Sequence, residues 1–561
     1  MKSVHKPIID NHRRFLFLFG FISVILLLVP VAFQPASAQS SPNGNFLYLP
    51  LLSRDSIATP YPVFGVHIEG AINNGSGLPE AVQGGGYWVR FEAFDWDRIE
   101  PVPSTPTAYQ WETVDEASLF NASQNGLNLI AVVKYTPGWA QKYPGSTCGP
   151  IKSEAFGRWA DFLSSLVNRY KNPPYNIKFW ELGNEPDTPV WYSKSVFGCW
   201  GEVNDPYFGG GFYAQMLKAA YPAIKAADPQ AQVLLGGLVL DNPNEIPYSI
   251  ARFFEGVLRG GGGPFFDLVN FHSYSYFTGI PGLLYNPNWP GSPTSLPEKA
   301  AFLKSVLNRY GLGNKPLINT ETALYCDVAT DPCFETQAVF TAKAYAEGIA
   351  LGLKGMVYYA LKSEWRLTGL LRPDNSPRPS YRAFKTAVNF LALAQYRGPV
   401  AGYPGRIFGY SFSPNRGRSI DVIWSTDGAP QSVSLPFGTA AFDRYGSPLP
   451  LSGNTIAVDY GPVYVRIPYN LFLPVIQKPY KLFLPVIQKP IQGTSVKLEP
   501  IATADLGGLS QKMVGNQADF ASALWEPHKT PRGWGMTDST VYVKFKAKAG
   551  NISKTYSASM P

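Results

Sequence analysis

Two glutamates stand where a carboxyl group can do chemistry. Glu185 follows the apolar run Ile177–Leu182, and Glu321 follows Pro316-Leu317-Ile318-Asn319-Thr320 in the same way. Asn184 and Pro186, on either side of Glu185, mark a turn out of that run. Hydrolysing a glycosidic bond with retention requires two carboxyl groups roughly 5–5.5 Å apart, one to protonate the leaving oxygen and one to attack the anomeric carbon. A loop glutamate by itself is more often a solvated charge or a capping partner. Two in register at apolar strand ends form a stronger signal. Other hydrolytic chemistries lack their residues: the chain has no G-x-S-x-G, no H-E-x-x-H and no phosphate-binding G-x4-G-K-[ST]. Carboxylate chemistry of this kind needs no cofactor and no metal.

Something must hold the two acids together. From Tyr61 to about Val388 a short apolar run ending in polar or aromatic residues alternates with a longer amphipathic stretch, the rhythm of βα units. Strands are expected at Val63–Ile68, Tyr87–Phe91, Asn128–Val133, Ile177–Leu182, Gln232–Gly236, Leu268–Phe271, Pro316–Asn319 and Gly355–Ala360. Eight is the number that closes a (β/α)8 barrel, whose chemistry sits where the strands end. Glu185 and Glu321 then terminate the fourth and seventh strands, on opposite sides of the mouth. Helices are expected at Ser153–Tyr170, Gly211–Ala227 and Thr336–Leu351, where apolar residues recur at three and four.

The run Trp180-Glu181-Leu182-Gly183-Asn184-Glu185-Pro186-Asp187 resembles the acid/base signature of the clan A glycoside hydrolases. Within the clan it is most similar to the family thirty-nine (β-xylosidase-like) and family five (cellulase-like) enzymes. The resemblance spans roughly Tyr61–Ile467. It implies Glu185 as acid/base, Glu321 as nucleophile and Asn184 as donor to the sugar 2-hydroxyl. It also implies that Arg90, at the end of strand two, lowers the nucleophile's pKa by opposite charge, and that Tyr274 hydrogen-bonds the nucleophile. His272 closes strand six beside it in Asn270-Phe271-His272-Ser273-Tyr274. The two carboxyls need different protonation states, so Glu185 is expected in the more apolar surroundings and Glu321 among donors such as Arg90 and Tyr274. Glu181, deeper on the same strand side, reads as structural; Glu69, Glu92 and Glu364 end strands with no motif behind them.

Rings near strand ends, Trp96, Trp139, Trp191, Trp200, Trp289 and Trp365, are either platforms for sugar faces or core. The clan floors its subsite with a tryptophan after strand eight, which points to Trp365. Its run, Leu361-Lys362-Ser363-Glu364-Trp365, departs from the usual spacing. Trp139, in Thr136-Pro137-Gly138-Trp139, is the second candidate for substrate binding.

The remaining chain bounds these expectations. The formal charge of +8 includes Lys2, Lys6, Arg13 and Arg14 against Asp10 in the first 38 residues. No clustered basic stripe remains, which excludes a nucleic-acid partner. Residues 1–38 carry a basic flank, an uncharged stretch from Phe15 to Phe33 and Ala36-Ser37-Ala38, the pattern of a signal peptide. Its apolar stretch is long enough to stay as a membrane anchor if uncleaved. Cys148, Cys199, Cys326 and Cys333 suit an oxidising compartment. Cys326–Cys333 is the easier bridge by spacing, leaving Cys148–Cys199, with other pairings open.

Short alternating runs from about Leu391 to Ile467 read as a small β-sandwich. Two identical nonapeptides, Leu471–Pro479 and Leu482–Pro490, read as a linker, and Leu47–Leu52 resembles them. Thr540–Lys546 is an alternating strand in what reads as an immunoglobulin-like module. The division is therefore 1–38 signal peptide, 39–60 linker, 61–390 catalytic barrel, 391–468 β-sandwich, 469–492 repeat linker and 493–561 immunoglobulin-like β module. The expected activity is retaining hydrolysis of β-linked oligo- or polysaccharides by an exported enzyme, with the C-terminal modules available for cell-surface or cell-wall association. The alternative is a non-catalytic carbohydrate-binding or surface-attachment protein on a barrel scaffold.

Overall fold

Runs such as Asn128-Leu-Ile-Ala-Val-Val-Lys134 are apolar on both faces, and in a sheet covered by helices both faces are buried. The computed structural model describes residues 62–192, 197–242, 252–292, 294–413 and 419–467, and in the C-terminal segment 495–498, 509–515, 519–520, 523–527, 532–535, 540–547 and 556–559. The signal peptide, the N-terminal linker and both nonapeptides lie outside the described residues. Among the described residues no helix is long and apolar enough to cross a membrane.

All eight expected strands form: β1 (Phe64–His67), β2 (Trp88–Asp95), β3 (Asn128–Lys134), β4 (Phe179–Leu182), β5 (Gln232–Leu235), β6 (Val269–Phe277), then after the short β7 (Leu284–Tyr285), β8 (Leu317–Tyr325) and β9 (Met356–Tyr358). Their order is β5-β4-β3-β2-β1-β9-β8-β6-β7, parallel except for β7, which pairs antiparallel with β6. Parallel bridges Leu234↔Leu268 and Leu238↔Phe271 join β5 to β6, so the eight parallel strands close into a barrel. The interior is layered with side chains, among them Trp88, Ile130, Phe179, Leu234, Leu268, Ile318 and Val357.

The helices Phe156–Tyr170, Gly210–Ala227 and Asp331–Ala350 match those expected, the last beginning five residues early because Thr330 caps it by accepting from the Cys333 amide. Three strands run clearly further than expected, β2 by four residues to Asp95 and β6 and β8 by six each. β6 and β8 continue past His272 and Glu321, pairing up to Tyr276↔Tyr325 above the barrel rim. Their register slips by one residue between Phe271↔Asn319 and His272↔Glu321, leaving Thr320 as the extra residue of a β-bulge. A bulge re-aims the side chains that follow it.

Both disulfides form as expected, Cys148–Cys199 and Cys326–Cys333. The small sandwich also forms. A five-stranded sheet (β10 Gln395–Pro399, β11 Ile407–Ser413, β12 Ser419–Ser425, β14 Ala440–Phe442, β16 Val463–Ile467) faces the pair β13 (Gln431–Ser434) and β15 (Thr455–Val458) across Ile423, Val433, Ile456 and Val465. Phe390, on the helix Pro379–Leu391 that follows the barrel, stacks on Tyr464 at 4.7 Å. In the C-terminal segment the described strands make an antiparallel pair and a four-stranded antiparallel sheet.

Candidate active site

The chain leaves β4 through Gly183 (φ +86°) and Glu185, itself held at φ +50° in the left-handed region. A non-glycine residue there is strained, and such strain gathers at functional sites. The loop folds back so closely that a Cβ on Gly198 would stand 2.4 Å from the Asn184 carbonyl oxygen. Cys199, next along, is bonded to Cys148 in the loop after β3, which ties this turn to its neighbour.

Arg90 organises the floor. It is fully buried on β2 and clasps Glu181 through Nε and Nη2, both at 2.8 Å. The same Nη2 donates to Asn184 Oδ1 at 2.8 Å, and Nη1 donates to Glu321 Oε1 at 2.6 Å. Holding Oδ1 directs the amide NH2 group of Asn184 away from the guanidinium. Glu181, read from the sequence as structural, is thus the counter-ion that fixes the arginine beside Glu321. The other oxygen of Glu321 accepts from Tyr274 Oη. Burial raises the Glu321 carboxyl to about 7, against the pull of Arg90 and the tyrosine hydrogen bond.

Glu185 has a different neighbour. Its Oε1 lies 2.8 Å from His272 Nδ1. Thr320 Oγ1 donates its hydrogen to Asn270 Oδ1 (2.9 Å) and therefore accepts from His272 Nε2 (3.0 Å). His272 then carries its proton on Nε2 and turns a lone pair toward Glu185. Burial first, then Arg90 and Lys299, hold the imidazole well below its ordinary pKa, so it stays neutral. Burial, then the Glu321 charge, push the Glu185 carboxyl well above the usual carboxylate range. An ionised Glu185 would face that lone pair, whereas a protonated one donates to it. Glu321 therefore sits among donors, whereas Glu185, expected in more apolar surroundings, sits against the polar ring of His272, whose Nδ1 also lies 3.5 Å from Glu321 Oε2. Gly237 makes room for the ring, since a Cβ there would stand 1.9 Å from His272 Nε2.

The other expected residues divide. Trp365 is half exposed and packs edge-on against Tyr274 (6.1 Å), Tyr325 (5.2 Å) and Tyr359 (5.7 Å), placing it beside the tyrosine that bonds Glu321. Trp139 is engaged elsewhere. The turn at Pro137-Gly138 folds it onto Trp96 (5.4 Å), and its Nε1 donates to the Glu100 carbonyl, in a cluster completed by Trp159 and Phe162. Trp96, Trp200 and Trp289 are buried, so they serve packing; Trp191 is exposed. Tyr325 and Tyr359 were not anticipated, although Tyr359 directly follows β9. Tyr359 Oη donates to Glu69 Oε1 (2.7 Å) and Lys134 pairs with Glu92, so those strand-end acids line the rim rather than the floor.

Glu185, His272 and Glu321 each present an atom within 4.8 Å of the others, the one such group of three among the described residues with spacing that could hold a metal ion. Here those atoms bond to one another, to Arg90 and to Tyr274.

The sequence matches no family model and no curated protein. Among solved structures, the fold is similar to that of a family 39 glycoside hydrolase from Bacteroides cellulosilyticus WH2, at 18% identity and TM-score 0.57, covering 73% of this chain and 82% of that one. A glucosidase from Croceicoccus marinus (14% identity, TM-score 0.49, covering 73% of this chain and 96% of that one) and a monomeric β-xylosidase from Caulobacter crescentus CB15 (15%, 0.47, 72% and 97%) are also matched.

Proposed function

We propose that this chain is a retaining glycoside hydrolase, acting on β-linked oligo- or polysaccharides, with Glu321 as nucleophile and Glu185 as acid/base. The observation that carries the reading is the separation of the two carboxyls: atoms of both lie within 4.8 Å of one another. So close an approach favours the roughly 5–5.5 Å spacing of retaining enzymes over the roughly 6.5–9.5 Å of inverting ones.

In the first step the Glu185 proton passes to the glycosidic oxygen as the C1–O bond breaks, and a Glu321 oxygen bonds C1. Arg90 keeps Glu321 the more ionisable of the two, and Tyr274 aims it. In the second step water gives a proton to Glu185 and its oxygen to C1, releasing Glu321 as a carboxylate. The His272 lone pair favours the return of that proton, because it offers ionised Glu185 no donor. Asn184, anchored by Arg90, directs its NH2 group toward the position of the sugar 2-hydroxyl. The half-exposed Trp365 ring supplies an apolar face for the sugar. Both disulfides favour an exported protein, and the C-terminal β-modules are read as surface-attachment elements.

A panel of aryl β-xylosides, β-glucosides, β-mannosides and α-arabinofuranosides, with the first product followed by NMR, tests the reading. Retained configuration at C1 is expected. Inverted product would overturn the mechanism, and glycan binding without any released reducing end would favour the non-catalytic alternative.

The pH profile follows from the same environments. Activity requires Glu321 ionised and Glu185 protonated. Burial raises both, so kcat/KM falls on the acid side as Glu321 gains its proton, and this limb lies above the usual carboxylate pKa of about 4.3. On the alkaline side it falls as Glu185 loses its proton. The pair titrates jointly, and the two limbs belong to it as a unit. Full activity persisting to pH 4 would contradict the expected profile.

A further inference from the structure

We propose that Lys299 and Asp187 are positioning residues that hold the acid/base Glu185 against His272, an inference that rests on the glycosidase reading above. The place they act on is the seam where the barrel closes. β6 and β8 share a ladder from Val269↔Leu317 to Tyr276↔Tyr325, whereas β5 and β6 meet only through the bridges Leu234↔Leu268 and Leu238↔Phe271. Leu238 still bonds β6, its amide donating to the Asn270 carbonyl (3.1 Å) and its carbonyl accepting from the His272 amide (2.9 Å), and beyond it the amides of residues 239–241 turn to a side chain.

Two buried charges bond this segment from opposite sides. Asp187, two residues after Glu185, accepts from the amides of Val239 (3.0 Å), Leu240 (2.8 Å) and Asp241 (2.8 Å). Lys299, on the helix Leu296–Arg309 and 1% exposed, donates to the carbonyls of Leu238 (2.9 Å), Val239 (2.9 Å) and His272 (2.8 Å). An ammonium has three donors, and all three are used. Both ends of the Glu185–His272 hydrogen bond are thereby tied to one segment. The Glu185 end is tied through Asp187, the His272 end through the carbonyl that Lys299 holds. Glu185 sits at φ +50°, so its side chain stays aimed only while the surrounding backbone is over-determined. The third charge here, Asp241, accepts from the Phe254 amide (2.6 Å) and anchors the far end of the segment.

A displaced acid/base has a signature that a merely weakened fold does not. Protonation matters for a poor leaving group and little for a good one, because 2,4-dinitrophenolate departs without it. Lys299→Met and Asp187→Asn are assayed on the 2,4-dinitrophenyl and the phenyl glycoside of whichever sugar in the panel the parent cleaves. The loss of kcat/KM, which reports formation of the glycosyl-enzyme, is expected to be on the order of 100-fold on the phenyl glycoside and under about threefold on the dinitrophenyl glycoside, while kcat on the latter falls because Glu185 is also the base of the second step. Equal losses of kcat/KM on both substrates would reduce the two residues to structural supports and overturn the proposal, as would an unchanged kcat/KM on the phenyl glycoside. If Lys299→Met fails to fold, the near-isosteric Asp187→Asn decides. A parent protein inactive on every glycoside in the panel would overturn the glycosidase reading, and this inference with it.

Discussion

Glu321→Ala is expected to lower kcat by about 10⁴-fold or more, since it removes the atom that bonds C1 and leaves only binding and electrostatic contributions. Glu185→Ala should behave differently. Its loss of kcat/KM, about 10²–10⁴-fold on phenyl glycosides, should shrink on dinitrophenyl glycosides, where the slow second step instead limits kcat. Added azide separates the two roles. In Glu185→Ala the nucleophile still forms the glycosyl-enzyme, and azide entering the vacated space should restore turnover and yield a glycosyl azide of retained configuration. In Glu321→Ala azide would attack C1 directly and give the inverted product. Circular dichroism should show both variants folded, because each replaced side chain lies at the mouth end of a strand whose ladder does not use it. Parental activity in either variant, or the same azide product from both, would sink the assignment.

The second large effect concerns stability as well as rate. Arg90→Met should destabilise the barrel by about 3–5 kcal/mol, the range for removing one partner from a buried ion pair. Arg90 and Glu181 are both fully buried and Glu321 nearly so, so the variant leaves two carboxyls without their buried counter-ion. The expected observation is a markedly lower midpoint in urea unfolding. The rate should fall too, because Glu321 loses the charge that favours its ionised form and its acid limb moves to higher pH. Arg90→Lys should rescue little. One ammonium cannot reproduce the fork that reaches two Glu181 oxygens, Asn184 and Glu321 together. An unfolding free energy within about 1 kcal/mol of the parent would contradict the range for such buried pairs.

The expected sites differ in how they were found. Arg90, Asn184, His272, Tyr274 and Trp365 stand at strand ends, and the barrel brings each beside one of the two glutamates or beside a residue that contacts it. Trp139 also stands at a strand end, but its ring packs on Trp96 and its Nε1 donates to the Glu100 carbonyl. Position after a strand locates a backbone, not the direction of its side chain. Lys299 had no local signal at all. It is one lysine on an amphipathic helix, and only the packing of that helix against the β5–β6 seam converts it from a surface charge into a buried one.

From sequence alone the eight strands, the three outer helices, the small sandwich and the two strand-end glutamates could be read. These depend on periods of two and 3.6 residues and on turn residues, which are properties of neighbours along the chain. Tertiary structure alone decided the bulge at Thr320, the left-handed backbone at Glu185, the proton on Nε2 of His272 and the joining of Glu181 to Glu321 through Arg90. Each depends on groups dozens to hundreds of residues apart that meet only when the sheet closes. Burial then sets which carboxyl keeps its proton, and burial is a property of the closed barrel rather than of any segment of it.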